Sequence, residues 1–90
     1  MRHNIAEMAR ALEGADAALI EAFLYSLLTP AEADEMAKRW ALVKELSTGM
    51  AQRKIAEELG LSLCKITRGS RELKKEGSAF KMLLGQLEKK

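Results

Sequence analysis

Apolar residues recur along this chain at helical spacing. Ile5, Met8, Ala9 and Leu12 fall at i, i+3, i+4 and i+7, which predicts a short first helix over 4–12 with Asn4 as its cap. Gly14 interrupts that run, and Asp16 is placed to cap a second helix whose apolar positions are Ile20, Phe23, Leu24, Leu27 and Leu28. Thr29-Pro30-Ala31-Glu32 is a strong helix start. Threonine caps, proline suits a first helical position where no N–H is needed, and Glu32 completes a reciprocal capping box. The third helix is expected from Pro30 to Thr48, ending at Gly49 as a residue with positive φ. A short helix over 51–58, a break at Gly60 and a further helix over 63–74 capped by Ser62 follow. After Gly77, the spacing of Phe80, Leu83, Leu84 and Leu87 defines a terminal amphipathic helix. Period-two alternation never extends beyond a few residues, and one proline and six glycines leave few sites for hairpins. The expectation is a single all-α domain, 1–90, of six helices.

Composition sharpens this picture in two respects. Hydrophobic residues make up 48% of the chain and aromatics only 4%, so the core is to be built from Leu, Ile, Ala, Met and Val. A chain of ninety residues buries only a modest fraction of such surface against itself, which points to a partner copy. Charge is also uneven. Residues 1–45 hold five Lys/Arg against eight Asp/Glu, a balance of −3, whereas residues 46–90 hold ten against five, a balance of +5. A basic half suits a polyanion. The lone Cys64 excludes an internal disulfide and has no His or Cys at metal-ligand spacing, in keeping with a reducing cytoplasm. No stretch approaches the roughly 20 apolar residues of a membrane span, so a soluble, unprocessed, cytoplasmic protein is expected.

The basic half contains Gln52-Arg53-Lys54-Ile55-Ala56-Glu57-Glu58-Leu59-Gly60-Leu61-Ser62-Leu63-Cys64-Lys65-Ile66-Thr67-Arg68. Ala56 is small where a second helix crosses the first, and Gly60 supplies the positive φ of a sharp turn. Ile55, Leu59, Leu61 and Ile66 are placed to fill the angle between the helices. Arg53, Lys54, Lys65 and Arg68 remain free to meet phosphates or base edges. This is the pattern of a helix-turn-helix, with an ordinary αα-hairpin as the plainer reading.

Two stretches carry a closer likeness. Leu28-Thr29-Pro30-Ala31-Glu32 is followed by Arg39 and by Leu42-Val43-Lys44-Glu45-Leu46; Gln52-Arg53 and Glu58-Leu59-Gly60 are followed by Ile66-Thr67-Arg68-Gly69-Ser70, then Leu73-Lys74. In these stretches, over 27–74, the chain resembles the tryptophan repressor family. The resemblance implies an intertwined all-helical homodimer that binds double-stranded operator DNA as a transcriptional repressor, with L-tryptophan as corepressor and no other cofactor. Residues 1–48 and 77–90 would form the core and dimerisation helices, and 51–74 the reading head. By position, Arg39 and Arg68 would flank the indole, Arg68 would also reach the ligand carboxylate, and Gly69 would line the pocket. Carbonyls near Ser26, Leu28 and Thr29 would hold the ammonium. Guanidinium planes both stack on an indole and pair with a carboxylate, which gives these roles a chemical reason. On the DNA side the resemblance places Gln52, Arg53, Leu63, Cys64, Lys65, Thr67 and Lys74, and the basic residues Lys54 and Arg71 are further DNA-binding candidates.

The sequence departs from the family pattern at four places. Glu72 stands beside the expected pocket where a serine is common, so its carboxylate attracts the ligand ammonium or repels its carboxylate according to orientation. The connection from Gly49 to Gln52 is one residue shorter, Ala56 replaces a basic residue, and the N-terminal region is shorter. Two other readings remain: a helix-turn-helix regulator that needs no tryptophan, and a helical adaptor that binds protein. Trp40, aligned with Met36 and Val43, reads as core or dimer interface. His3 lacks the companions a catalytic or metal role requires, and Cys64 lacks a nearby histidine to activate it. No nucleophile with its base, no metal cluster and no phosphate-cradling loop is present in the sequence, so an enzyme is not expected.

Overall fold

A computed structural model describes residues 2–89. Its six helices are α1 (Arg2–Leu12), α2 (Ala17–Leu27), α3 (Pro30–Ser47), α4 (Gln52–Leu59), α5 (Leu63–Lys74) and α6 (Ala79–Glu88), with no strand among the described residues. The chain divides into two compact units, one reaching to Asp34 and the other beginning at Glu35.

In the first unit, helix boundaries follow local hydrogen bonding. Asp16 Oδ1 accepts from the Leu19 N–H at 2.9 Å and starts α2. At the head of α3 the capping box is complete: the Thr29 N–H donates to Glu32 Oε1 at 2.9 Å, and the Glu32 N–H donates to Thr29 Oγ1 at 3.1 Å. Asn4 is not the cap expected of it, because α1 already includes Arg2 and His3 and carries Asn4 inside its first turn. Polar residues ahead of the apolar stripe continue a helix as readily as they cap one. Neither α1 nor α2 contains a fully buried residue. Ile20, Phe23, Leu24 and Leu28 are half-buried, whereas Ile5 and Tyr25 are each 67% exposed and Leu19 and Leu27 also face outward.

The second unit holds the core. Leu42, Ile55 and Ile66 form a buried cluster, and Leu46, Met50, Ala56, Leu59 and Leu61 pack around it. The four residues expected to fill the α4–α5 angle are thus all there, two of them fully buried. Gly60 ends α4 at φ 65° and ψ 35°, and both its own N–H and that of Leu61 donate to the Ala56 carbonyl. Ser62 Oγ accepts from the Lys65 N–H to begin α5. Ser78, which the sequence did not single out, caps α6 in the same manner. Trp40 is half-buried with its ring centroid 6.5 Å from that of Phe80, Val43 is buried beside it in sequence register, and Met36 stays exposed.

Candidate functional site

The α4–turn–α5 pair presents polar and basic groups on one side because its apolar groups are committed to the other. Along α5 the buried residues Ile66, Ser70 and Leu73 fall at i, i+4 and i+7. That spacing turns Cys64, Thr67, Arg68, Arg71 and Lys74 outward, and all five are exposed. Gln52, Arg53 and Lys54 occupy the first turn of α4 and are likewise exposed. Leu63 is half-exposed at the start of α5. The Thr67 hydroxyl donates to the Leu63 carbonyl at 2.9 Å, so its proton is engaged by its own helix while its lone pairs remain open.

On another side of α5 lies a cavity of about 520 Å³, lined by Arg39, Leu42 and Val43 of α3, Lys65, Arg68, Gly69 and Glu72 of α5, and Phe80 of α6. Arg39, Arg68, Gly69 and Glu72 are four of the expected ligand residues, and they share this one space. Gly69 lets α5 approach α3 closely at the cavity wall. The other expected residues belong to the first unit: Ser26 and Leu28 at the end of α2, Thr29 at the head of α3. The Ser26 hydroxyl donates to the Ala22 carbonyl at 2.9 Å, and the Thr29 carbonyl accepts from the Ala33 N–H.

Two carboxylates shape the charge around the cavity. Glu72 Oε1 is 2.9 Å from Lys75 Nζ, which offsets part of its negative charge. Glu35 Oε1 accepts from Lys65 Nζ at 3.0 Å and from an Arg39 guanidinium nitrogen at 3.2 Å. The Lys65 hydrogen bond and charge, reinforced by those of Arg39, hold the Glu35 carboxyl below its ordinary 4.5. Lys65, expected to remain free for DNA, is instead paired with Glu35 and also lines the cavity.

Residues 3–88 match the family described as Trp repressor protein. The chain belongs to the Trp repressor family. A Trp operon repressor homolog of Vibrio vulnificus is 42% identical over 65 residues, which cover 71% of this chain and 64% of the relative. One from Photobacterium profundum is 42% identical over 71 residues, covering 78% and 69%. One from Chlamydia caviae is 39% identical over 69 residues, covering 76% and 68%. The match thus spans just under two thirds of the Vibrio vulnificus protein's length. No solved structure matches the chain. The Trp repressor family is one of DNA-binding regulators rather than enzymes.

Sequence reasoning missed several residues that line or flank this cavity. Leu42 and Val43 were quoted within the family likeness and Phe80 as a helix-face position, none with a ligand role, yet they form its apolar lining. Glu35 was not singled out, although its i, i+4 spacing to Arg39 was an available signal.

Proposed function

We propose that the protein is a homodimeric, sequence-specific DNA-binding repressor whose operator affinity is raised by L-tryptophan. The observation that carries this reading is the meeting of Arg39, Arg68 and Gly69 around one cavity on the reading helix itself. Two guanidinium groups suit an aromatic face and a carboxylate, Leu42, Val43 and Phe80 suit an indole, and the volume falls within the roughly 300–1,000 Å³ of small-molecule sites. An occupant there touches the helix whose opposite side carries Arg71 and Lys74, so it biases the orientation of the groups that meet DNA. The exposed apolar residues of α1 and α2, with Met82, Leu83 and Leu87 of α6, support a second copy as their cover. No described helix is long and apolar enough to cross a membrane, and a regulator of this kind works in the cytoplasm beside its DNA.

Isothermal titration with L-tryptophan, paired with gel shifts on operator-like duplexes with and without it, tests the reading. Binding at micromolar to millimolar concentration together with tighter DNA association is the expected result. Salt-dependent DNA binding that ignores tryptophan would favour a ligand-independent regulator. Absence of salt-dependent DNA binding would favour a helical adaptor. Sedimentation should show a dimer; a compact monomer at micromolar concentration would remove the argument from exposed apolar faces.

A further inference from the structure

Lys65 and Glu35 stand thirty residues apart in sequence yet join α5 to α3 by an ion pair of 3.0 Å. Three features make the contact more than a surface decoration. Lys65 lies in the first turn of the reading helix, beside Leu63 and Cys64. The Glu35 oxygen that receives Lys65 also receives Arg39, and both cations line the cavity. Finally, the pair is half-exposed, at 47% for Lys65 and 46% for Glu35, so water and other anions reach it and the contact is reversible. A phosphate approaching the start of α5 meets an ammonium whose charge is already opposed by a carboxylate in direct contact.

We propose that Glu35 is a positioning residue that holds Lys65 toward α3 and withholds its charge from DNA. This rests on the reading of the protein as a DNA-binding repressor. Releasing Lys65 requires only rotation of a flexible four-carbon side chain, and the freed ammonium adds one phosphate contact. Exposed ion pairs are individually weak, so Glu35 tunes affinity by a small factor. Lys65 carries the effect, and removal of a negative charge elsewhere on the unit does not reproduce it.

The test is a four-member cycle of wild type, Glu35→Gln, Lys65→Met and the double variant, measured by fluorescence anisotropy with a labelled duplex over a series of salt concentrations. Both side chains are solvent-accessible, and circular dichroism checks that helix content is unchanged. Glu35→Gln should tighten DNA binding about two- to fivefold and steepen the salt dependence by about one counterion. In the Lys65→Met background the same change should have no effect. Equal tightening in both backgrounds would reduce Glu35 to a general electrostatic contribution and overturn the proposal, as would unchanged affinity in Glu35→Gln. Absence of salt-dependent DNA binding in the wild type would instead remove the repressor reading, and this proposal with it.

Discussion

Gly69 on α5 passes over Leu42 on α3 so closely that a Cβ on the glycine would stand 3.1 Å from Leu42 Cδ2. Leu42 is 2% exposed and packed with Ile55 and Ile66, so it has little room to retreat. Alanine in a helix interior gains about 1 kcal/mol over glycine, but overpacking a core costs about 1–3 kcal/mol. Gly69→Ala is therefore expected to destabilise the protein by about 1 kcal/mol, and Gly69→Val by more. Urea unfolding checks this, and a Gly69→Ala variant more stable than wild type would show that the two helices part easily.

Arg53→Ala and Lys74→Ala should each weaken operator binding and leave tryptophan binding nearly intact, since both side chains are exposed and neither lines the cavity. Their profiles differ. Losing a phosphate contact at Lys74 weakens all sequences alike and lowers the salt slope by about 1. Losing Arg53 also relaxes base preference by about 1–3 kcal/mol if it reaches a base edge. Gel shifts on matched and mismatched duplexes separate the two; unchanged affinity in both variants would move the reading face elsewhere.

Glu72 tests the polarity of the cavity. Its carboxylate shares the wall with Arg39, Lys65 and Arg68 and is only partly offset by Lys75. Glu72→Ser removes a negative charge from the wall that a ligand carboxylate would face, while Glu35 stays paired with Arg39 and Lys65, so tryptophan should bind about two- to fivefold more tightly by titration calorimetry. Weaker binding would place the ligand ammonium against Glu72 instead.

The Glu35 carboxyl also gives the pH dependence a sign. Because its folded value lies below the ordinary 4.5, the folded state binds fewer protons than the unfolded state as the two forms titrate. The stabilisation it contributes is complete above the ordinary value and is lost as the pH falls through the depressed one. Between about pH 5 and pH 3, wild type should lose more stability than Glu35→Gln, while their difference stays constant above about pH 6. High salt should shrink that difference, because the pair is exposed. Denaturant titrations across this range provide the measurement; parallel curves for the two proteins would dissociate Glu35 from acid sensitivity.

What was legible in the sequence was local. Asp16, the Thr29–Glu32 box, Ser62, Gly49 and Gly60 act through atoms within a few residues of themselves, so their roles follow from residue type and spacing. Asn4 shows the limit of that logic: it has capping chemistry, but Arg2 and His3 extend the helix past it. Arg39 and Arg68 were visible as cavity residues through family likeness, not through periodicity. The Lys65–Glu35 pair, the contact of Trp40 with Phe80 and the approach of Gly69 to Leu42 depend on how helices cross, and no short window of sequence records a crossing.

Cys64, the single thiol of the chain, is exposed in the first turn of α5 between Leu63 and Lys65. A maleimide therefore labels the protein at one site, without competing cysteines to remove first. Anything that covers the start of that helix slows the alkylation, so the rate of thiol modification becomes a footprint of its occupancy. The same fluorophore, once attached, turns a change in the surroundings of α5 into a change of emission that needs no label on the other molecule.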